Sequence, residues 1–187
     1  MHNLKPVTAL GSETPRIDVI GTIRIAENDQ ISLASVAARL GQEATCVKSC
    51  EGFLGAAPAV GKAIFREPEF GFWTVPDQWM IGAPIASHEN LASQLKDSFG
   101  SAASITEQTG AWVVFDANGE KIADLCEILC NVPIRKMQMG DVQRTMLHQL
   151  GCFVIKQNET DHLRVMGPRA AAGSLHHALT TAAQAIS

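Results

Sequence analysis

The chain passes through one order of structural signals and then starts that order again. From residue 16 it reads as strands, a helix, further strands and a closing helix, and from about residue 101 the same series returns. The approach to the last helix also matches between the halves: "MIGAP" and then Ser87 in the first, "VMGPR" and then Ser174 in the second. A fold built from such halves must pack two sets of largely antiparallel strands under helices, because neighbouring strand runs at hairpin spacing cannot feed parallel crossovers. The expectation is an α+β duplication: an arm over 1–15, then one domain over 16–187 made of pseudo-repeats 16–100 and 101–187.

The strand signals are runs rich in Ile, Val and aromatics. "RIDVIGTIRIAE" breaks at Gly21 into one or two strands, and "SLASVAAR", "AIF", "FGFWTV" and "QWMIGA" follow. In the second half come "SAASITEQT", "AWVVFD", "RTMLHQLG", "CFVIKQN" and "DHLRVMG". The helix signals have a wider period. Cys46, Val47, Cys50, Phe53 and Leu54 share one face; Leu91, Leu95 and Phe99 step by four behind Ser87 as N-cap; Ile122, Leu125, Cys126 and Leu129 form a third stripe. Leu175, Leu179, Ala182 and Ile186 form the last, entered at Ser174.

Several function classes lack their signals. A formal charge of −4 with no Lys/Arg run offers no footprint for nucleic acid. No apolar stretch approaches the roughly 20 residues a membrane helix needs, and "MHNLKPVTALGSETP" has no signal-peptide core, so a cytoplasmic protein with five free thiols is expected. Fingerprints for dinucleotides, phosphate loops, nucleophile elbows and zinc helices are missing, so no catalytic, cofactor-binding or metal residue is assigned. The pairs Cys46/Cys50 and Cys126/Cys130 complete apolar helix stripes and read as core thiols.

His148 is expected on a strand face with Met146 and Leu150, partly buried and satisfied. Asp77 belongs to a Val75-Pro76-Asp77-Gln78 turn, and Asp116 and Asn118 ahead of Gly119 read as turn and cap residues. That turn would set Trp73 and Trp79 on one face of a hairpin, where large aromatics fasten cores or interfaces more often than they cage ligands. Trp73 and Trp79, with Arg169, His176 and His177, are the candidate interface or structural anchors. The two histidines point about 100° apart on a helix and suit solvent or a partner better than one ion.

In order along the chain, "FWTVPDQWMIGAP", "SHENLASQL", "SITEQTGAW", "RTMLHQLGCFV" and "HLRVMGPRAAAGSLHHAL" resemble the gamma subunit of the heterotetrameric sarcosine oxidase family, from about Leu33 to the C-terminus. Val75 stands where that family usually has Gly before the Pro-Asp pair. The resemblance implies a fold like the folate-binding domain of glycine-cleavage aminomethyltransferase, with duplicated β-β-α-β-β-β-α halves. It also implies partners: alpha and beta subunits carrying NAD, FAD, FMN and the tetrahydrofolate site, and a zinc-binding delta subunit. In such a complex, sarcosine is demethylated to glycine with formation of hydrogen peroxide, the one-carbon unit passing to tetrahydrofolate, and the gamma chain is structural. The alternatives from other classes are a stand-alone folate-binding one-carbon transferase and a homo-oligomeric binding module.

Overall fold

The computed structural model describes residues 5–187. The α+β expectation is met: two antiparallel sheets with packed helices, divided between two compact units. One unit takes residues 30–110 and 140–142; the other is assembled, among the described residues, from 5–29, 111–139 and 143–187.

In the first of these units the sheet order is β4-β5-β6-β3-β7, from β3 (Ile31–Ala38), β4 (Ala63–Arg66), β5 (Glu69–Val75), β6 (Gln78–Pro84) and β7 (Ala103–Glu107). Helix α1 (Glu43–Leu54) and helix α3 (Leu91–Phe99) cover one face, and a single turn, α2 (Ile85–His88), precedes α3. Cys46, Cys50 and Leu54 of α1 and Leu91, Leu95 and Phe99 of α3 close over Ala34, Val36, Trp79 and Ile81, every one of them buried. Leucine and thiol side chains at helical spacing over β-branched and aromatic ones at alternate strand positions form the layer that period analysis predicts.

The second sheet runs β1-β2-β8-β11-β10-β9, from β1 (Ile17–Ile20), β2 (Ile23–Glu27), β8 (Trp112–Asn118), β9 (Val142–Leu147), β10 (Leu150–Lys156) and β11 (His162–Pro168). Helices α4 (Ile122–Leu129) and α5 (Ala172–Ile186) bury Ile122, Leu125, Cys126, Leu175 and Leu179 against Val113, Phe115, Ala117, Val154 and Val165. Taking β2 and β7 as equivalent first strands, each half supplies β-β-α-β-β-β-α. Each also lends that first strand to the other half's sheet: β2 pairs β8, and β7 pairs β3.

Three local expectations are corrected. Ser87 does not cap α3: it lies inside α2, its hydroxyl donating to the carbonyl of Pro84 just ahead of that turn, and α3 starts after Asn90. Ser174 lies within α5, which begins two residues earlier at Ala172. In both cases the proline ending the strand (Pro84, Pro168) presets the chain for the following helical turn, ahead of the serine. His148 is on no strand face. It and Gln149 form the two-residue link between β9 and β10, both at positive φ (46° and 68°), leaving His148 exposed.

Candidate functional site

Strand alternation sends Val113, Phe115 and Ala117 to the helices, so Asp116 between them projects from the opposite face of the sheet. There it meets three side chains from two other parts of the chain. Arg164, its direct cross-strand partner on β11, donates from Nε to Oδ1 at 2.8 Å and from Nη2 to Oδ2 at 3.2 Å. Asn28, just beyond β2, donates to Oδ2 at 2.6 Å, and His162 Nε2 stands 3.4 Å from Oδ1. The loop ahead of His162 is set by Asn158, whose Oδ1 accepts the amides of Thr160, Asp161 and His162 at 3.2, 3.0 and 2.9 Å.

The Asp116 side chain is 17% exposed and that of Arg164 12%. Burial by itself would raise the Asp116 carboxyl, but hydrogen bonds from His162 and Arg164 and the guanidinium charge prevail and hold it far below the ordinary carboxylate range. Four donors also fill the lone-pair positions of a carboxylate. An ion so paired is a poor proton acceptor near neutral pH, and its chemistry is that of a clamp between β2, β8 and β11 rather than of a general base. The expectation that Asp116 is a turn residue is therefore corrected: it sits inside β8, and the turn-like "DANG" conceals contacts made far along the chain.

Trp73 and Trp79 face each other as a cross-strand pair, despite a β-bulge between Trp73 and Val75. Trp79 is buried and its Nε1 donates to the Pro58 carbonyl at 2.9 Å; Trp73 is half-buried against the same core. Pro76 and Asp77 form the hairpin turn, with Asp77 at φ 57°, as a type II turn requires at its third position. Both tryptophans are thus spent on packing within their unit.

The other three candidates lie in the other unit. Arg169 donates from Nη2 to the Val7 carbonyl at 3.0 Å. His176 is not on solvated helix surface, as expected, but half-buried, its Nε2 2.7 Å from Asp18 Oδ2 and its ring 5.9 Å from that of Phe115. The hydrogen bond from Arg16, followed by that from His176, holds the Asp18 carboxyl low. His177 is exposed and lines a shallow groove of about 280 Å³ with His148, over Ile128, Leu129 and Ala182. Sequence reading missed the buried Glu27, which accepts the amides of Leu10 and Arg16 at 3.0 and 3.2 Å and ties the N-terminal segment to β2.

All five cysteines are free thiols. Burial raises the thiols of Cys46, Cys50 and Cys152, while Cys130, hydrogen-bonded to Cys126, is lowered. Among the described residues no group of three or more His, Cys, Asp or Glu is placed to hold a metal ion, and no helix is long and apolar enough to cross a membrane.

Two duplicated β-β-α-β-β-β-α halves with exchanged first strands define a protein of the aminomethyltransferase fold. Within that class, the chain is similar to one from the heterotetrameric sarcosine oxidase of Corynebacterium sp. U-96, with a TM-score of 0.74 at 16% identity over 89% of this chain and 86% of that one. It is also similar to the glycine cleavage system aminomethyltransferase T of Bartonella henselae, with a TM-score of 0.62 at 13% identity, over 82% of this chain but 44% of that one. No protein-family model and no curated protein sequence matches.

Proposed function

We propose that the chain is the gamma-type subunit of a heterotetrameric sarcosine oxidase of the cytosol, a structural component that packs against larger alpha and beta subunits. The observation that carries this reading is the agreement in fold with the oxidase chain, a TM-score of 0.74 against 0.62 for the aminomethyltransferase. The oxidase chain and this one cover each other almost completely, while the chain spans less than half of the aminomethyltransferase. The saturated Asp116 clamp and the buried Trp79 agree, since neither leaves a group poised for chemistry.

In this reading FAD, FMN, NAD and tetrahydrofolate belong to the partner subunits and zinc to a small delta subunit, and the complex converts sarcosine to glycine. The test is affinity purification of the tagged chain from its native source, with mass spectrometry and an absorption spectrum of the eluate. Two larger chains and a flavin spectrum are expected. A colourless chain without larger partners would overturn the proposal, and micromolar binding of a reduced folate by that lone chain would replace it with the transferase reading.

A further inference from the structure

The two sheets end in four edge strands, β1 and β9 in one and β4 and β7 in the other. Natural edges are guarded by polar or charged side chains, since an open edge is a template for another strand. Two of these edges follow the rule at every exposed position, Arg66 on β4 and Ser104, Thr106 and Glu107 on β7, and β9 sets Gln143 and Arg144 beside its exposed Met146. On β1 the exposed positions are Ile17 and Val19, 55% and 70% accessible.

The backbone of the same two residues is open. The Glu27 amide donates to the Arg16 carbonyl at 2.8 Å, which makes Arg16/Glu27 a hydrogen-bonded pair of the β1–β2 ladder. Antiparallel pairs alternate, so Asp18/Ile25 and Ile20/Ile23 are bonded as well, and the N–H and C=O groups of Ile17 and Val19 point away from β2. Their side chains and their hydrogen-bonding groups therefore offer one continuous strip. The Val19 row continues across the sheet through exposed Arg24 to Asn118 and His162.

We infer that β1 is a docking edge that accepts an extended strand from a larger partner subunit, adding a seventh strand to the sheet. A second copy of this chain does not fit. Antiparallel self-pairing through both open positions sets Ile17 opposite Val19 of the second copy, and Asp18 directly opposite its own counterpart, two like charges in cross-strand contact. Sliding by two residues one way brings Val19 to Pro15, which has no N–H, and the other way brings Ile17 to the turn at Gly21. A four-residue edge also falls far short of the roughly 1,200 Å² that a stable homodimer buries. It serves as one element of a wider heterologous interface. The incoming strand carries apolar side chains beside Ile17 and Val19 and a neutral or basic residue opposite Asp18.

This inference rests on the subunit reading, and the test separates the two. Hydrogen exchange is compared between the isolated chain and the chain co-purified with its larger flavin-bearing subunits. The Ile17 and Val19 amides should slow by about tenfold or more on assembly. Val19→Pro, which removes an outward N–H without touching the β1–β2 ladder, and Val19→Lys, which keeps that N–H but adds charge, should each lower recovery of the larger subunits by about tenfold, one step of about 1.4 kcal/mol. Circular dichroism confirms the fold of each variant, and if the proline variant is unfolded, the lysine variant and the exchange data decide. Unchanged recovery with both, or amides as fast in the complex as in the free chain, overturns the docking edge and leaves the subunit reading standing. Slow exchange of these amides in a homodimer of the isolated chain overturns the choice of partner. Wild-type chain that brings down no larger subunit overturns both.

Discussion

Replacing Asp116 by Asn keeps the shape of the side chain and removes its charge. Breaking a buried ion pair by removing one member costs roughly 3–5 kcal/mol. Asp116 keeps 17% of its side-chain surface in water, and an asparagine carbonyl still accepts from Arg164 or Asn28, so the lower end, about 3 kcal/mol at pH 7, is expected. With a urea m-value of roughly 2 kcal/mol/M, the midpoint of unfolding falls by about 1.5 M. The pH dependence is the sharper check. The native carboxyl is held below its unfolded value, so on acidification the unfolded chain takes up the proton first. The stabilisation is complete above the ordinary aspartate pKa of 3.8 and is lost as pH falls through it towards the native value. Urea titrations of both proteins from pH 7 to pH 3 should show the gap narrowing as acid is added. A gap below about 1 kcal/mol at pH 7, the range of exposed ion pairs, or one that stays constant to pH 3, would refute the clamp.

Trp79→Phe should cost about 2 kcal/mol in denaturant melts, because it strands the buried Pro58 carbonyl and leaves a void beside Trp73. Gly119→Ala should cost roughly 3 kcal/mol or more by the same measurement, or prevent recovery of soluble protein, since φ is 140° and the new Cβ would stand 2.0 Å from the Thr22 carbonyl oxygen. Brief alkylation with iodoacetamide at pH 7, read by peptide mass spectrometry, should mark Cys130 ahead of the other four cysteines, because its thiol is half-buried and lowered by the hydrogen bond with Cys126; equal labelling of Cys50 would refute this.

Strands and helix faces were legible where a residue's fate depends on near neighbours. The β5–β6 hairpin is an example: Pro76 presets one turn angle, Asp77 tolerates the next, and the apolar runs on either side must then pair. Asp116 was illegible as a contact because its partners Asn28 and Arg164 lie 88 and 48 residues away, whereas Gly119 three residues on favours a turn reading. A weaker signal was present: within "WVVFDAN" the alternation that buries Val113 and Phe115 under helices already turns Asp116 to the other face. The His148-Gln149 turn had no such trace, since neither residue type announces positive φ in the way Asn-Gly does. The open edge at Ile17 and Val19 depended on knowing which strands end each sheet, a property of topology that no local window contains.

The loan of first strands between halves also sets a timetable for synthesis. Residues 30–110 supply all five strands of their sheet in one continuous stretch, so that unit can complete most of its hydrogen bonding while the rest of the chain is still being made. The β1–β2 hairpin emerges earlier but must wait for β8, and Asn28 is separated from Asp116 by 88 residues, roughly 4 to 18 seconds of translation at 5–20 residues per second. During that interval Ile23 and Ile25, which end fully buried, have no core to enter. A hairpin made before the strand it needs is sheltered late, and a nascent chain stalled between residues 60 and 110 should be held by a chaperone through this hairpin, a contact that site-specific crosslinking at Ile23 would detect.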